Sequence, residues 1–299
     1  MKPPPFDYHR PQTLEETLDL LAEYGSDAKI LAGGQSLIPL MNFRLARPSN
    51  LIDINGLDEL GKVSSTEDGL ILGSLVRHRV IESSPQIQSS LPLLAEATSL
   101  IGYPAIRTRG TLGGSVTHAD PSAELPLAFL VLGGEITLQS KPRGSRSVGA
   151  EFFFLTYFTT DVQPDEVATR LVFQRPSPSC GQAILEFSRR PGDFAIVAAA
   201  ATVSVEENGT VREGRIGVAG VSGTPVRLST VEGALKGESL TPRLLGQLGL
   251  LARESVDPEG DIHASAEFRK HLTGVLTRRV VEKAWRQALR NSGNNGSGK

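Results

Sequence analysis

Two pairs of adjacent glycines, Gly33-Gly34 and Gly113-Gly114, stand among small and hydroxyl-bearing residues. The first pair lies in the stretch 31–36 (LAGGQS), and the second lies in 109–115 (RGTLGGS). Successive glycines let backbone N–H groups converge, and they let a ligand approach the main chain closely. A diphosphate gains most from such a site, because N–H dipoles can meet its charge without Lys or Arg. Either pair alone is more often a tight turn, so the hypothesis depends on the repetition and on the hydroxyl beside each pair.

Other nucleotide-binding and metal-binding patterns are absent or incomplete in the sequence. Gly-x-Gly occurs only at 296–298, so the dinucleotide fingerprint of a Rossmann domain is missing. The stretch Gly56–Lys62 matches the first seven positions of a P-loop, but Val63 stands where a Ser or Thr must hold magnesium. This stretch is better interpreted as a turn after a strand. The five histidines have no metal-ligand spacing, and Cys180 has no neighbour that would activate a catalytic thiol.

Composition and charge exclude several classes of function. The 299 residues include 31 basic and 33 acidic side chains, and this balance does not suit a nucleic-acid binder. The single cysteine, Cys180, cannot form an internal disulfide or supply the ligands of an iron–sulfur cluster. Redox chemistry would therefore need an organic cofactor or a partner. No apolar run reaches the ~20 residues of a membrane span and no signal peptide is recognised, so we expect a cytoplasmic protein.

Helices and strands alternate around the two glycine pairs. Thr13 and Glu16 form a capping box that predicts a helix. Further elements are predicted as strands at 29–32, 50–54, 69–73 and 135–139, and as helices near 76–83 and 91–100. Ser122 is predicted to cap a helix that ends at Gly133. The first glycine pair therefore directly follows a strand.

The character of the sequence changes after about Arg175, where a linker-like stretch at 176–181 (PSPSCG) begins. Beyond it we predict strands at 183–188, 196–205 and 215–221, then helices near 230–235, 241–253 and 266–289. A sheet followed by helices predicts a separate α+β domain. We therefore expect domains at 1–175 and 176–290, and a disordered tail at 291–299 (NSGNNGSGK).

Three segments of the chain resemble the FAD-binding medium subunits of the molybdenum hydroxylases. They are 32–39 (AGGQSLIP), 106–121 (IRTRGTLGGSVTHADP) and 188–195 (SRRPGDFA). The resemblance runs in order from Pro5 to about Leu289, and three motifs at matching spacing are far more specific than a single glycine pair. It implies an α+β protein in which a PCMH-type FAD-binding domain is followed by a smaller C-terminal α+β domain. The FAD-binding domain would consist of two α/β subdomains, at about 1–56 and 57–175.

The same resemblance implies which residues hold FAD. The segments 32–36 and 111–115 would wrap the diphosphate, Ile101 would lie against the adenine end, and Glu124 would bond to sugar or ribityl hydroxyls. Val167 would line the cofactor, and Phe194 would approach the isoalloxazine ring. The complete predicted set is Ala32, Gly33, Gly34, Gln35, Ser36, Ile101, Thr111, Gly113, Gly114, Ser115, Asp120, Glu124, Val167 and Phe194.

The function that the resemblance implies is electron transfer. The chain would take electrons from the iron–sulfur clusters of a small partner subunit and pass them through FAD to an external acceptor. A large partner subunit would carry the molybdenum cofactor, in a dimer of heterotrimers. Two alternatives stay open: a stand-alone FAD-dependent oxidase of the same fold, and an assembly subunit that has lost FAD. Gln35 and Ser115 replace the family's common histidine and asparagine, which keeps the second alternative in view.

Overall fold

A three-stranded parallel sheet forms the N-terminal part of the chain. The computed structural model describes residues 2–295. Its first strands, β1 (Asp7–His9), β2 (Ala28–Leu31) and β3 (Asn50–Asp53), pair in the order β1-β3-β2. The first helices are α1 (Leu14–Tyr24) and α2 (Leu37–Asn42). The first glycine pair lies in the loop between β2 and α2, so its predicted place after a strand is confirmed.

Two local predictions for this part are also confirmed. The hydroxyl of Thr13 accepts a hydrogen bond from the amide of Glu16 (3.1 Å), and α1 begins there. The Glu16 carboxylate in turn accepts the amide of Gln12 (2.6 Å). The P-loop-like stretch is a turn, because a short 3₁₀ helix at Asp58–Gly61 follows β3.

An antiparallel five-stranded sheet forms the middle part of the chain. The strands of this part are β4 (Val63–Ser65), β5 (Gly69–Gly73), β6 (Glu135–Ser140), β7 (Gly144–Gly149), β8 (Phe154–Thr156), β9 (Thr159–Thr160) and β10 (Glu166–Gln174). The sheet has the order β4-β5-β10-β6-β7, and β8 forms a hairpin with β9. The sequence predicts β5 and β6, but it misses the edge strand β7 and the central strand β10.

Short helices connect the strands of this middle part. They are α3 (His78–Ser83), α4 (Pro85–Ser90), α5 (Pro92–Leu100), α6 (Pro104–Arg109), α7 (Leu112–His118), α8 (Glu124–Val131) and α9 (Ala150–Phe153). The predicted α3 and α5 are present, but α6 and α7 are not foreseen. The prediction that Ser122 caps α8 is wrong, because Ala123 is the N-cap and the amide of Ser122 bonds to Asp120 Oδ1 (2.9 Å). A short side chain two residues upstream has captured that amide in an Asx turn.

A second antiparallel sheet and three helices complete the chain. They are β11 (Cys180–Phe187), β12 (Val197–Val205), β13 (Val211–Ala219), β14 (Val226–Arg227), α10 (Ser229–Leu235), α11 (Pro242–Glu254) and α12 (Ala266–Asn295). The strands pair in the order β11-β12-β13-β14. Five residues, 175–179, separate the end of β10 at Gln174 from the start of β11 at Cys180. The domain boundary at 175/176 stays a prediction.

The last sheet is buried on both faces and shares a core with the middle part. Side chains of β12 alternate: Ala198 and Ala200 pack with the apolar cluster of α5 and α8, whereas Val197, Ala199 and Ala201 pack with α10–α12. This alternation follows from the two-residue period of a strand. The sequence analysis predicts a separate α+β domain, but the C-terminal sheet shares a core with the middle part of the chain.

The predicted disordered tail begins inside a helix. Helix α12 continues to Asn295, and the side-chain amide of Asn291 donates to the backbone oxygen of Cys180 (2.8 Å). This contact with β11 is a tertiary one, so the polar composition of the segment could not reveal it. The disorder prediction is wrong for 291–295, and 296–299, with its Gly-x-Gly, lies outside the described residues.

Candidate cofactor-binding cleft

The loop that carries the first glycine pair presents backbone donors that the protein does not use. Within residues 2–295, no oxygen accepts a hydrogen bond from the amides of Gly33, Gly34, Gln35 or Ser36. Gly33 is buried, and a buried amide without a partner is costly unless a ligand satisfies it. Gly34 has a φ of +71°, a left-handed conformation that favours glycine. Unpaired amides of this kind can bind an anion, and that residues 33–36 do so stays a prediction.

The second glycine pair plays a different role from the one predicted. It lies in the first turn of α7, and the amides there are already taken by the protein. The amide of Gly113 donates to the backbone oxygen of Ser74 (2.8 Å), and that of Gly114 donates to the hydroxyl of Thr111 (3.2 Å). The amide of Ser115 donates to the oxygen of Thr111 (3.0 Å). The expectation that 111–115 offers converging free amides is therefore wrong for these three residues.

Gly113 instead allows close packing between α7 and the segment after β5. A Cβ at position 113 would lie 2.5 Å from the Cβ of Ser74 and 2.8 Å from its oxygen. Real Cβ atoms do not approach other atoms so closely, so only glycine lets the helix start here. Close packing against Ser74 is therefore the physical reason for a glycine at position 113.

The two glycine motifs lie against each other. A Cβ on Gly33 would lie 2.5 Å from the oxygen of Arg109 and 2.9 Å from the Cα of Gly110, and a Cβ on Gly114 would lie 3.7 Å from that of Ala32. The predicted residues of 32–36 and 111–115 are therefore brought together by the fold.

A hydrogen-bonded bridge from Arg77 holds the two motifs in this arrangement. Its Nη1 donates to the oxygen of Arg109 (2.6 Å), and its Nη2 donates to Oδ1 of Asn55 (2.6 Å). The side-chain amide nitrogen of Asn55, Nδ2, donates to the backbone oxygen of Ala32 (2.8 Å). Sequence reasoning missed Arg77 and Asn55, because nothing local connects them with either glycine pair.

His78 fixes the start of the second motif. Its Nε2 lies 3.0 Å from the oxygen of Thr111, a carbonyl that can only accept, so Nε2 carries the proton. Its backbone amide donates to the oxygen of Gly110 (3.0 Å). Burial lowers the pKa of His78 from 6.5 to about 4, so the ring is neutral at pH 7 and holds this geometry without a charge.

An open cleft of about 260 Å³ lies beside the first motif. It falls slightly below the roughly 300–1,000 Å³ of typical ligand pockets, so it suits part of an extended molecule. The residues that line it are Leu31, Gly33, Gly34, Gln35, Ile38, Pro39 and Arg109. Arg109 was not among the predicted site residues, although it directly precedes Gly110 in the second motif.

Burial raises the pKa of two acidic side chains that follow α7 in the chain, Glu124 and Glu186. Glu124 is only 5% exposed, and burial raises its pKa from 4.5 to about 8. The charges of Glu186 and Asp120 raise that pKa further, while the hydrogen bond to the backbone amide of Glu124 lowers it. Glu186 has a buried Oε2 without a partner, and burial raises its pKa to about 7. A protonated Glu124 can both donate to and accept from a hydroxyl group.

The third predicted motif, Ser188–Ala195, lies against the turn that follows α5. A Cβ on Gly192 would lie 3.0 Å from the oxygen of Gly102, next to Ile101. Phe194, two residues further on, is 66% exposed. Ile101 and Phe194 therefore belong to neighbouring segments, whereas the resemblance assigned them to opposite ends of FAD. Both assignments stay predictions.

Val167 is a core residue in this structure. Its side chain is 2% exposed and packs in the apolar cluster that includes Leu21, Ile52 and Leu75. Ile101, Val167 and Phe194 are not among the residues that line the cleft. The expectation that the stretch around Val167 lines the cofactor stays a prediction.

Comparison with known sequences decides the family. Residues 4–174 match the family model of the FAD binding domain in molybdopterin dehydrogenase, and residues 182–284 match that of the CO dehydrogenase flavoprotein C-terminal domain. The chain belongs to this family. It is a medium, FAD-binding subunit of the molybdenum hydroxylase family, and thus an oxidoreductase subunit whose cofactor is FAD. The resemblance predicted from the three motifs is confirmed, and so is the fold class.

Full-length relatives support this membership. The chain is 38% identical to the alpha subunit of the 6-hydroxypseudooxynicotine dehydrogenase complex of Paenarthrobacter nicotinovorans, over 96% of this chain and 97% of that relative. It is also 38% identical to the caffeine dehydrogenase subunit beta of Pseudomonas sp. strain CBB1, over 95% and 96% of the two chains.

Solved structures of the family have the same fold. Carbon monoxide dehydrogenase from Hydrogenophaga pseudoflava superposes with a TM-score of 0.93 at 34% identity, covering 96% of this chain and 99% of that one. Quinoline 2-oxidoreductase from Pseudomonas putida 86 superposes with a TM-score of 0.92 at 35% identity, covering 97% and 100%.

The residues present fit an FAD diphosphate. A diphosphate needs hydrogen-bond donors, and the unpaired amides of 33–36 and the adjacent Arg109 supply them. Gly33 and Gly34 line the cleft, so a ligand can approach these amides closely. In the part of the chain that the structure describes, no cluster of three or more His, Cys, Asp or Glu side chains is placed to hold a metal ion. Nor does any helix within 2–295 have the length and apolar character needed to cross a membrane.

Proposed function

We propose that this medium subunit transfers electrons within a molybdenum hydroxylase complex, from the iron–sulfur clusters of a partner subunit to an external acceptor. When bound, FAD supplies the redox chemistry, because it exchanges electrons one or two at a time with other carriers. The chain's own residues bind and orient the cofactor. The observation that carries the proposal is the set of unpaired amides at 33–36 in a chain that matches medium subunits over 99% of their length.

The proposed roles of the site residues follow from their surroundings. The amides of 33–36 would bind the diphosphate. Ser36 and Ser115, each within two residues of a glycine pair, would contribute hydroxyl groups. Glu124, protonated in its buried position, would hydrogen-bond a sugar or ribityl hydroxyl without placing a negative charge beside it. The exposed ring of Phe194 would shield the flavin from water.

The partners follow from what this chain lacks in its composition. A single cysteine cannot ligate an iron–sulfur cluster, so the clusters would reside on a small partner subunit. A large subunit would carry the molybdenum cofactor and select the substrate. The relatives named above are subunits of complexes, which supports such partners. A dimer of heterotrimers and a cytoplasmic location stay predictions.

Purification of the chain alone and with its co-expressed partner subunits tests this function. We expect a yellow protein that releases about one FAD per chain on acid denaturation, and a complex in which that flavin is reduced only when the iron–sulfur subunit is present. A colourless chain that still binds both partners would support an assembly subunit. Reduction of the flavin by an alcohol or sugar without partners would support a stand-alone oxidase.

A further inference from the structure

We propose that the guanidinium group of Arg109 binds the diphosphate of FAD and gives the cleft its preference for an anionic ligand. This inference rests on the FAD-binding function proposed above. Arg109 is the charged residue among those that line the cleft, and no carboxylate lies among them. Its side chain is exposed to solvent, so it can reach a ligand without a change of fold.

The backbone of Arg109 is held from two sides. Its oxygen accepts the hydrogen bond from Arg77, and the same oxygen abuts the Cα of Gly33, where a Cβ would come within 2.5 Å. The side chain therefore starts from a fixed point beside the unpaired amides of 33–36. A fixed start reduces the freedom that the side chain loses when it binds a ligand.

The local charges leave Arg109 unneutralised. Among residues 2–295, no acidic group forms an ion pair with it, whereas neighbouring Arg107 pairs with Glu82 (3.0 Å). Burial lowers the pKa of Arg77, and the positive charge of Arg109 lowers it further, while Asp53 acts in the opposite direction. Two like charges held near each other are stabilised when an anion lies between them.

A diphosphate fits these donors better than a carboxylate does. The loop amides offer several neutral donors at short range, and a guanidinium binds two phosphate oxygens through its planar fork. The diphosphate is the charged part of FAD, so Arg109 contributes to affinity through charge. An amide side chain of similar size should keep the contact surface and lose that charge.

Titration of the full-length apo chain with FAD, followed by flavin fluorescence, tests the inference. Arg109→Gln is expected to raise the Kd about ten- to hundredfold, the usual effect of losing a charged hydrogen bond. Arg109→Lys should recover part of the loss. Arg243→Gln, which removes an exposed arginine from α11, is the matched control and should leave the Kd unchanged.

Salt dependence separates a charge effect from a folding effect. Raising KCl from about 50 to 500 mM should weaken FAD binding by the wild type more than by Arg109→Gln, because salt screens the charge. Equal Kd values for Arg109→Gln and Arg243→Gln would overturn the inference. The inference would also be overturned if Arg109→Gln binds FAD more weakly but its Kd depends on salt as that of the wild type does. A Tm of Arg109→Gln below that of Arg243→Gln would overturn it too, because the weaker binding would then reflect a less stable fold. Failure of the wild type to bind FAD would instead count against the proposed function.

Discussion

Two buried titratable residues, His78 and Glu124, keep their neutral forms at pH 7 for the same reason. Burial disfavours the charged form of each, which lowers the pKa of the imidazole to about 4 and raises that of the carboxyl to about 8. Neutral His78 orients Thr111 through a hydrogen bond, and neutral Glu124 stays inside the protein without a cation. Their effects on stability have opposite dependences on pH.

The pH dependence of stability tests the buried state of Glu124. Between pH 4.5 and about 8 the folded chain retains a proton that the unfolded chain has lost, so stability falls as pH rises through this range. The side chain in Glu124→Gln cannot ionise, so this variant should not lose stability in this way over that pH range. We expect the stability of the apo wild type, relative to this variant, to fall by on the order of a few kcal/mol between pH 5 and 8.

The measurement is Tm or urea unfolding of apo protein at each pH. Glu207→Gln, in an exposed turn, serves as the control and should follow the wild type. A difference between wild type and Glu124→Gln that does not change with pH would show that Glu124 is ionised in the folded chain.

At the scale of elements, the two glycine pairs make one cleft by different means. The first pair leaves a loop with open amides, and the second lets α7 begin directly on the backbone of Ser74. Arg77 and Asn55 then connect the two segments across the chain. Loop 33–36 therefore lies against Arg109 and Gly110, directly before α7, and the amides of Gly113, Gly114 and Ser115 in α7 are already used by the protein.

Gly113→Ala tests the packing role of the second pair. The added Cβ meets Ser74 at 2.5 Å, so we expect the free energy of unfolding to fall by about 1–3 kcal/mol. Gly233→Ala, at an exposed position of α10 with nothing within 4 Å of the new Cβ, is the matched control. It should raise stability by up to about 1 kcal/mol, because alanine favours helix. Equal stability of the two variants in urea would contradict the packing role.

At the scale of the whole molecule, one sheet connects the two halves of the chain. Strand β12 contributes Ala198 and Ala200 to the apolar cluster of α5 and α8. Its residues Val197, Ala199 and Ala201 pack on the C-terminal helices. The amide of Gly220 also donates to the oxygen of Pro121, just after α7 (2.8 Å). If either half unfolded, the apolar surface that the other half packs against it would become exposed to water.

This shared core predicts that the chain unfolds in one transition. The single tryptophan, Trp285, lies in α12 and reports on the C-terminal part, while far-UV circular dichroism reports on all elements. We expect the two probes to give coincident urea transitions for the apo chain. A tryptophan transition at a clearly different urea concentration would mean that the halves unfold independently.

Sequence alone determined the family, the glycine positions, the cofactor class and most of the longer elements. Strong local signals carried these predictions: a capping box at Thr13, a continuous apolar run at 195–201, and three motifs in fixed order. Short helices such as α7 escaped prediction because glycines are unfavourable in helices, and packing on Ser74 compensates for this. β10 escaped because its polar residues Glu166, Thr169 and Arg170 obscure a strand that is paired on both sides.

Only the tertiary structure decided which residues share a site. It placed Arg109 and Arg77 beside the first glycine pair, buried Val167 in the core, and brought the segment of Phe194 against that of Ile101. These contacts join residues far apart in the chain, and their energies depend on burial and on distance. Residue types and spacing therefore predict what a segment can bind, whereas the assembled fold decides whether its donors stay free to bind it.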